Sequence, residues 1–148
     1  MSANTIQLDS DSFIHEEAVC DGAVNPGNIV EQTSAGKIKK HATEGGRGLI
    51  AVAVEDALQG KTVSDAYADG ALASYNIQRA GTRFQGILKA GEDVAIGAGL
   101  VSDGAGRLIA IASVGSGVTV NQVLAYAEEA VDLSASGAVD TLIAVRAG

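Results

Sequence analysis

The spacing of turn residues between positions 63 and 108 restricts the fold more than any other feature of this sequence. Short apolar or alternating segments occur there, separated about every eight to twelve residues by glycine, aspartate and serine. In one segment, Tyr75 and Ile77 fall on one face of a period-two strand, and Asn76 and Gln78 fall on the other. The pattern predicts a small antiparallel β-protein with short strands and tight turns.

Turn signals before this region continue the same pattern. Pro26 presets φ, and Gly27 accepts the left-handed position of a type II turn. Residues 34–36 predict a hairpin turn between strands at 28–33 and 37–42. The β pattern is therefore not confined to the middle of the chain.

The later part of the chain predicts further strands and few helical turns. Asp103-Gly104 indicates a second hairpin, because glycine tolerates the φ > 0 that such turns need. Residues 123–131 are also compatible with a helix, since alanine and glutamate favour one, but the spacing of the flanking turns favours a strand. We predict a central strand at 49–54, a loop or helical turn at 56–60, a short helix at 63–68, and strands at 75–79, 84–89, 107–113, 117–124, 126–133 and 141–146.

These elements predict an all-β fold of about nine to eleven strands, a small antiparallel sandwich or barrel with one or two short helical turns. Residues 1–17 are polar and acidic and are predicted to form an extended N-terminal arm, and residues 18–148 a single β domain. Within the arm, residues 5–8 alternate in polarity. They are either part of a frayed terminus or a strand that adds to a neighbouring molecule.

Composition limits both the core and the partners. Aromatic residues make up 3% of the 148 residues, so small aliphatic side chains must fill the core, at about 25 cal/mol per Å² buried. This favours an oligomer, whose subunit contacts add burial. The net charge of −8 disfavours nucleic-acid and anionic membrane partners. The uncharged run at 108–127 contains Gly115-Ser116-Gly117, so it predicts strands and a turn rather than a membrane span.

Two short motifs resemble parts of nucleotide-binding loops and are incomplete. Gly60-Lys61-Thr62 resembles the end of a phosphate-binding loop, but Glu55 occupies the position of the required first glycine and would repel phosphate. Gly97-Ala98-Gly99 begins like a dinucleotide fingerprint, but Ser102 replaces its third glycine and no crossover helix follows. Neither motif predicts a cofactor.

Metal and nucleophile patterns are incomplete as well. Residues 9–13 begin like a calcium loop, but the fifth position is phenylalanine and no glycine follows at the sixth. His15 has no second histidine four positions later, as a zinc-protease motif requires. A Cys20–His41 nucleophilic pair has no local support, and a buried or incidental thiol is favoured. The sequence predicts no catalytic, cofactor-binding or metal-ligating residue, and hence no enzyme.

Charged residues offer two further interpretations. Lys37, Lys39, Lys40 and His41 form the basic cluster of the sequence. A charged edge strand is the favoured interpretation, and a docking site for an acidic partner is the alternative. The adjacent carboxylates Glu92-Asp93 and Glu128-Glu129 are predicted to be solvated edge residues. The single cysteine and the absence of a visible signal peptide favour a reducing compartment.

The order of these segments resembles a family of tailed-bacteriophage head proteins, the decoration or cement proteins of the outer capsid surface. Each segment alone is ordinary turn chemistry, and the succession carries the resemblance, over roughly residues 22–146. The resembling segments are Asn25-Pro26-Gly27 leading to 29–31, then 34–37, 55–62, 65–70, 87–97, 100–108, and 127–132 before the terminal strand.

The resemblance implies a jelly-roll or tulip-like β-sandwich or barrel, usually a homotrimer, without catalytic residues. It implies a structural virion protein, made in the bacterial host cytoplasm, that binds the outer surface of an icosahedral head and stabilises it. The implied partners are the major capsid protein and further copies of this chain. We predict as capsid contacts Thr5, Ile6, Gln7, Leu8, Lys37, Lys39 and Lys40.

A different class of function is the alternative. A small acidic β-sandwich can bind a glycan or another ligand, generally through a platform of aromatic side chains. Here the tyrosines and phenylalanines are scattered along the sequence, and exposed, neighbouring tyrosines in the structure would favour this alternative.

Overall fold

The computed structural model describes residues 4–148, and this part of the chain is all-β. Its two helical elements are single 3-10 turns at Ala57–Gln59 and Ile111–Ser113. The all-β prediction is therefore confirmed. The strands are β1 (Phe13–Val19), β2 (Ile29–Gln32), β3 (Ile38–Lys40), β4 (Ala51–Ala53), β5 (Leu72–Gln78), β6 (Arg83–Leu88), β7 (Asp93–Val94), β8 (Gly99–Ser102), β9 (Leu108–Ala110), β10 (Ala125–Ala127), β11 (Val131–Asp132) and β12 (Thr141–Ala147).

The strands form an open sheet and a small closed barrel. The open sheet has five antiparallel strands in the order β1-β5-β4-β2-β3, and the barrel has the order β10-β12-β6-β9-β8. β7 and β11 form a separate two-stranded ribbon. The barrel is antiparallel except where β6 meets β9, which pair in parallel at Leu88 and Leu108 alone. Most of β6 therefore has no ladder partner on its β9 side.

One apolar core joins the two sheets. Ile29 and Val52 from the open sheet and Phe84, Leu88 and Ile143 from the barrel belong to the same buried cluster. The other face of the open sheet carries a second cluster, which includes Val24, Val30, Ala51, Tyr67 and Tyr75. Because strand side chains alternate between faces, β4 places Ala51 and Ala53 in one cluster and Val52 in the other, and is apolar at every position. This explains the apolar run at 49–54, where β4 is the predicted central strand.

The predicted turns are confirmed. Asn28 N–H donates to Asn25 O at 3.0 Å across the turn, in which Gly27 has φ +94°. A Cβ at Gly27 would also overlap the side chain of Leu142 on the barrel. Glycine is thus favoured there by its backbone angle, and a side chain would also force the end of Leu142 to move. Gly36 and Gly104 likewise have positive φ in their hairpins.

Two predicted elements are wrong. Residues 63–68 form no helix, because Thr62 N–H donates to the Asp65 carboxylate at 2.7 Å and Tyr67 then pairs with Val24 in an isolated bridge. Residues 117–124 form no strand, since their backbone bonds go to separate partners, such as Asn121 N–H to Gly45 O at 2.8 Å. A segment that bridges several elements cannot build a ladder.

Buried Glu92 is a further correction. Its side chain is 7% exposed rather than solvated, and one carboxylate oxygen accepts from Ala110 N–H at 2.9 Å and Ser113 Oγ at 2.8 Å. These bonds end β9 at Ala110 and hold the 3-10 turn at Ile111–Ser113, where the sequence predicted continuing strand. In the segment 123–131, residues 125–127 form a strand, which confirms the preference for a strand over a helix there.

Within residues 4–148, neither 3-10 turn has the length or the apolar character to cross a bilayer as a helix.

Candidate functional site

Residues 5–8, predicted to add a strand to a neighbour, lie against the barrel of their own chain. Gln7 pairs with Phe84 in an antiparallel bridge. Gln85 N–H donates to Ile6 O at 2.7 Å, and Leu8 N–H donates to Arg83 O at 3.2 Å. The segment therefore occupies the side of β6 that β9 leaves unpaired.

Ile6 anchors this segment in the core. Its side chain is fully buried in the cluster that joins the two sheets. The Glu55 carboxylate accepts from Thr5 Oγ1 at 2.6 Å and from Ile6 N–H at 3.0 Å. Gln85 Nε2 donates to Thr5 O at 2.7 Å. No local pattern in the sequence marks this role of Glu55, because its partners lie about fifty residues away in the chain.

Gln7 connects the segment to the polar face of β5. Its Oε1 accepts from Asn76 Nδ2 at 2.9 Å and from Gln78 Nε2 at 2.7 Å, and its Nε2 donates to Gln78 Oε1 at 3.0 Å. Asn76 and Gln78 are both buried, and His15 Nδ1 lies 2.8 Å from Asn76 Oδ1. The polar face that the sequence predicts is thus an internal hydrogen-bonded layer.

Asp9 closes the docked segment. Its carboxylate accepts from the backbone N–H of Arg83 at 2.8 Å and from the guanidinium at 2.9–3.0 Å. The backbone hydrogen bond, followed by the side-chain bond and the charge of Arg83, lowers the pKa of Asp9. The chain then turns into β1 through Ser12, which has φ +67°. Residues 13–17, predicted as arm, pair with β5 along the edge of the open sheet, and residues 1–3 of the predicted arm lie outside the described residues.

The three predicted lysine contacts do not form one patch. Lys37 is exposed at the β2–β3 hairpin. Lys39 pairs with Glu31 at 3.4 Å. Lys40 follows it in β3, so its side chain leaves the strand on the opposite face and lines a polar pocket. Alternation along the strand therefore separates neighbours in sequence.

The polar pocket has a volume of about 500 Å³ and lies where the open sheet meets the outside of the barrel. Arg107 crosses it, with Nε donating to Asp103 at 2.7 Å and Nη1 to Asp140 at 3.1 Å. Burial opposes the charge of Arg107, but its hydrogen bonds to Asp140 and Asp103 raise its pKa. The lining residues are Asn25, Pro26, Asn28, Lys40, Val63, Ser64, Ile87, Ala105, Arg107, Asp140 and Leu142.

An apolar groove of about 220 Å³ lies on the open sheet, on the face away from the barrel. Ile14, Ile77, Ala51 and Val30 stand opposite one another across four strands of this face. Ile14 is 47% exposed, and Leu49 at the rim is 62% exposed. The face is thus only partly covered by the described residues.

The structure does not bring Cys20 and His41 together. Cys20 is buried in the apolar cluster of the open sheet, where burial first and then the charge of Asp69 raise its pKa. His41 is also buried, but its Nδ1 lies 2.8 Å from Ser102 Oγ and its Nε2 3.1 Å from Arg47 O. Cys20 is a buried thiol, as predicted. No group of three or more histidine, cysteine or acidic side chains in residues 4–148 is arranged to hold a metal ion.

The aromatic side chains form no platform. Tyr67 and Tyr75 are buried, whereas Tyr126 is 45% exposed on the barrel. Phe84 is fully buried in the core. The exposed, neighbouring tyrosines that would favour glycan binding are therefore not present among the described residues.

The fold is shared with a solved phage protein. The crystal structure of head fiber gp8.5 N base in bacteriophage phi29 aligns with 92% of this chain and 94% of its own, with a TM-score of 0.54 and 16% sequence identity. No protein-family model matches the chain, and no curated protein sequence is significantly similar to it.

Proposed function

We propose that this chain is a structural protein of a tailed-bacteriophage head that binds the outer capsid surface as a decoration or cement protein. The observation that carries the proposal is the shared fold with a phage head fiber base, which extends over nearly the whole of both chains. The order of turn motifs in the sequence supports the same assignment independently of that comparison.

The physical character of the molecule supports a role that depends on binding rather than on chemistry. The two sheets share one core, and the N-terminal segment is fastened across both, so the chain is a stiff body. A protein that binds the assembled shell but not its separated subunits stabilises the shell by mass action. The proposed location is the outside of the virion, after synthesis in the host cytoplasm.

The proposed partners are the major capsid protein and two further copies of this chain in a homotrimer. The apolar groove bounded by Leu49 and Ile77 is a surface that a partner would cover. Three linked copies would each raise the effective concentration of the others at the shell, so weak individual contacts would suffice.

Binding to heads tests this proposal. Heads of the encoding phage, prepared without this protein, are mixed with the purified chain, and co-sedimentation and the temperature of head disruption are measured. We expect saturable binding and a raised disruption temperature. Absence of co-sedimentation at micromolar protein would refute the proposed function.

Among the predicted capsid contacts, the N-terminal residues require a separate test, because they are docked on their own barrel. Because the backbone of residues 5–8 already pairs with β6, these residues can add a strand to a capsid subunit only if they leave this position. Positions 8 and 83 face each other one residue along from the antiparallel Gln7–Phe84 bridge. In a Cys20→Ala background, the substitutions Leu8→Cys and Arg83→Cys would therefore form a disulfide that fastens the segment to β6. If the segment clamps the capsid, the oxidised variant loses head binding and regains it on reduction. Equal binding in both states rules out a clamp that requires release of residues 5–8.

A further inference from the structure

The polar pocket contains a cation without a counter-ion. Arg107 is balanced by Asp103 and Asp140, at 2.7 and 3.1 Å. The Lys40 ammonium group makes no hydrogen bond or ion pair with any residue from 4 to 148. Acidic residues outnumber basic ones in this chain by 18 to 10, yet no carboxylate of the described residues pairs with the Lys40 ammonium group. A ligand can provide that carboxylate.

The backbone around Lys40 is fixed before any ligand binds. A Cβ built on Gly106 would approach Lys40 Cβ and Cγ to 3.1 Å, so the stem of the lysine lies directly against this glycine. Gly106 N–H donates to His41 O at 3.1 Å, and Gly106 O accepts from Ile29 N–H at 2.9 Å. Asn28 Nδ2 adds a bond to the same carbonyl at 3.3 Å. The loop and the strand that carry the two cations are thus joined, which lowers the entropy lost on binding.

The rest of the lining matches a short peptide better than a sugar. The side chains of Asn25 and Ser64 line the pocket and make no hydrogen bond with the described residues, so they are free to bind a ligand. Ile87, Leu142 and Val63 provide aliphatic walls, and no aromatic side chain lines the pocket for a sugar ring to stack on. The volume of about 500 Å³ accommodates one or two side chains.

We propose that this pocket binds an acidic peptide segment of the capsid partner, with a glutamate or aspartate carboxylate bound to Lys40 and neighbouring aliphatic groups against Ile87 and Leu142. This inference rests on the proposed function. It assigns Lys40, rather than Lys37 or Lys39, as the lysine that determines affinity.

Charge reversal with a matched control tests the inference on heads. Lys40→Glu and Lys37→Glu change the net charge equally, but only Lys40 lines the pocket. We expect Lys40→Glu to weaken head binding at least tenfold, and Lys37→Glu to leave it within twofold, with both variants unfolding near the wild-type temperature. If wild type binds heads and the two variants bind alike, the pocket is overturned while the proposed function stands.

A second measurement does not require heads. The labelled protein is titrated with hexaglutamate, with hexaglutamine as the uncharged control and oligogalacturonate as the acidic sugar, and amide chemical shifts are recorded. We expect hexaglutamate alone to shift the amides of Lys40, Ser64 and Arg107, with weaker binding at high salt and none in Lys40→Glu. Equal shifts with hexaglutamine, or binding of oligogalacturonate without hexaglutamate, would overturn the inference. A hexaglutamate response without head binding would instead refute the proposed function alone.

Discussion

Replacing Ile6 by alanine is expected to destabilise the whole chain, although the residue lies in a terminal segment predicted to be an arm. The Ile6 side chain is fully buried in the cluster that joins the open sheet to the barrel. Removing a buried isoleucine down to alanine costs about 2–5 kcal/mol, because transfer free energy is lost and a cavity remains. A loss of about 3 kcal/mol would lower the melting temperature by about 6–12 °C for a chain of this size.

Urea denaturation followed by circular dichroism measures this loss as a change in midpoint at constant slope. Leu8→Ala is the matched control, because Leu8 belongs to the same segment but is only partly buried. We expect Leu8→Ala to cost clearly less than Ile6→Ala. An Ile6→Ala loss below about 1 kcal/mol, or equal losses for both variants, would show that the segment is not part of the folded core.

The same burial affects how the capsid contact is tested. Deleting the N-terminal residues would remove Ile6 from the core and leave the Glu55 carboxylate without Thr5 and Ile6 N–H. A truncated chain that fails to bind heads would then be uninformative, since it would also be destabilised. The reversible disulfide between positions 8 and 83 avoids this difficulty, because Ile6 stays in the core, Glu55 keeps Thr5 and Ile6 N–H, and the oxidised and reduced states compare the same variant.

Three further predictions concern residues outside this segment. Gly27→Ala should lose about 2–4 kcal/mol in urea denaturation, from the left-handed backbone and the overlap with Leu142, whereas Gly36→Ala, with φ +75° and open space, should lose about 1–2 kcal/mol; equal losses would contradict the close approach. Glu92→Ala should lower the free energy of unfolding by about 2–4 kcal/mol, because Ala110 N–H is left unsatisfied. The control Asp93→Ala, at an exposed position, should change it by no more than about 0.5 kcal/mol, and similar effects of the two variants would refute the buried role of Glu92. Burial disfavours the ionised form of Asp140, but hydrogen bonds from Ala90 N–H and Arg107 lower its pKa below 3.8. The stabilising contribution of the Asp140 carboxylate is therefore present above pH 3.8 and is lost as the pH falls further. Asp140→Asn should reduce the acid dependence of the melting temperature, and an unchanged dependence would contradict this.

Local backbone preferences made several features predictable from the sequence. Pro26-Gly27 and Asp103-Gly104 specify turns through the φ values that proline and glycine allow, so their positions follow from the residues alone. The two faces of β5 follow from period-two alternation. The buried state of Cys20 agrees with the general preference of free cysteine for protein interiors.

Contacts between distant residues were not predictable in this way. Asn76 and Gln78 indicate a polar face, but that face is buried because Gln7, about seventy residues away, supplies its hydrogen bonds. Glu92 resembles any solvated carboxylate in the sequence until β9 and the following turn place two donors beside it. Lys39 and Lys40 are neighbours in the sequence, but alternation along β3 places their side chains on opposite faces. Lys39 pairs with Glu31, whereas Lys40 lines the polar pocket.

The sequence by itself determined that this chain is an all-β protein with specific turns, because those properties depend on residues next to one another. Only the tertiary structure decided where residues 5–8 lie. Their position depends on β6 pairing with β9 at a single residue, which leaves an edge that no local pattern marks. A short alternating segment can add to any free edge, and the closed shape of the barrel determines which edge of its own chain is free.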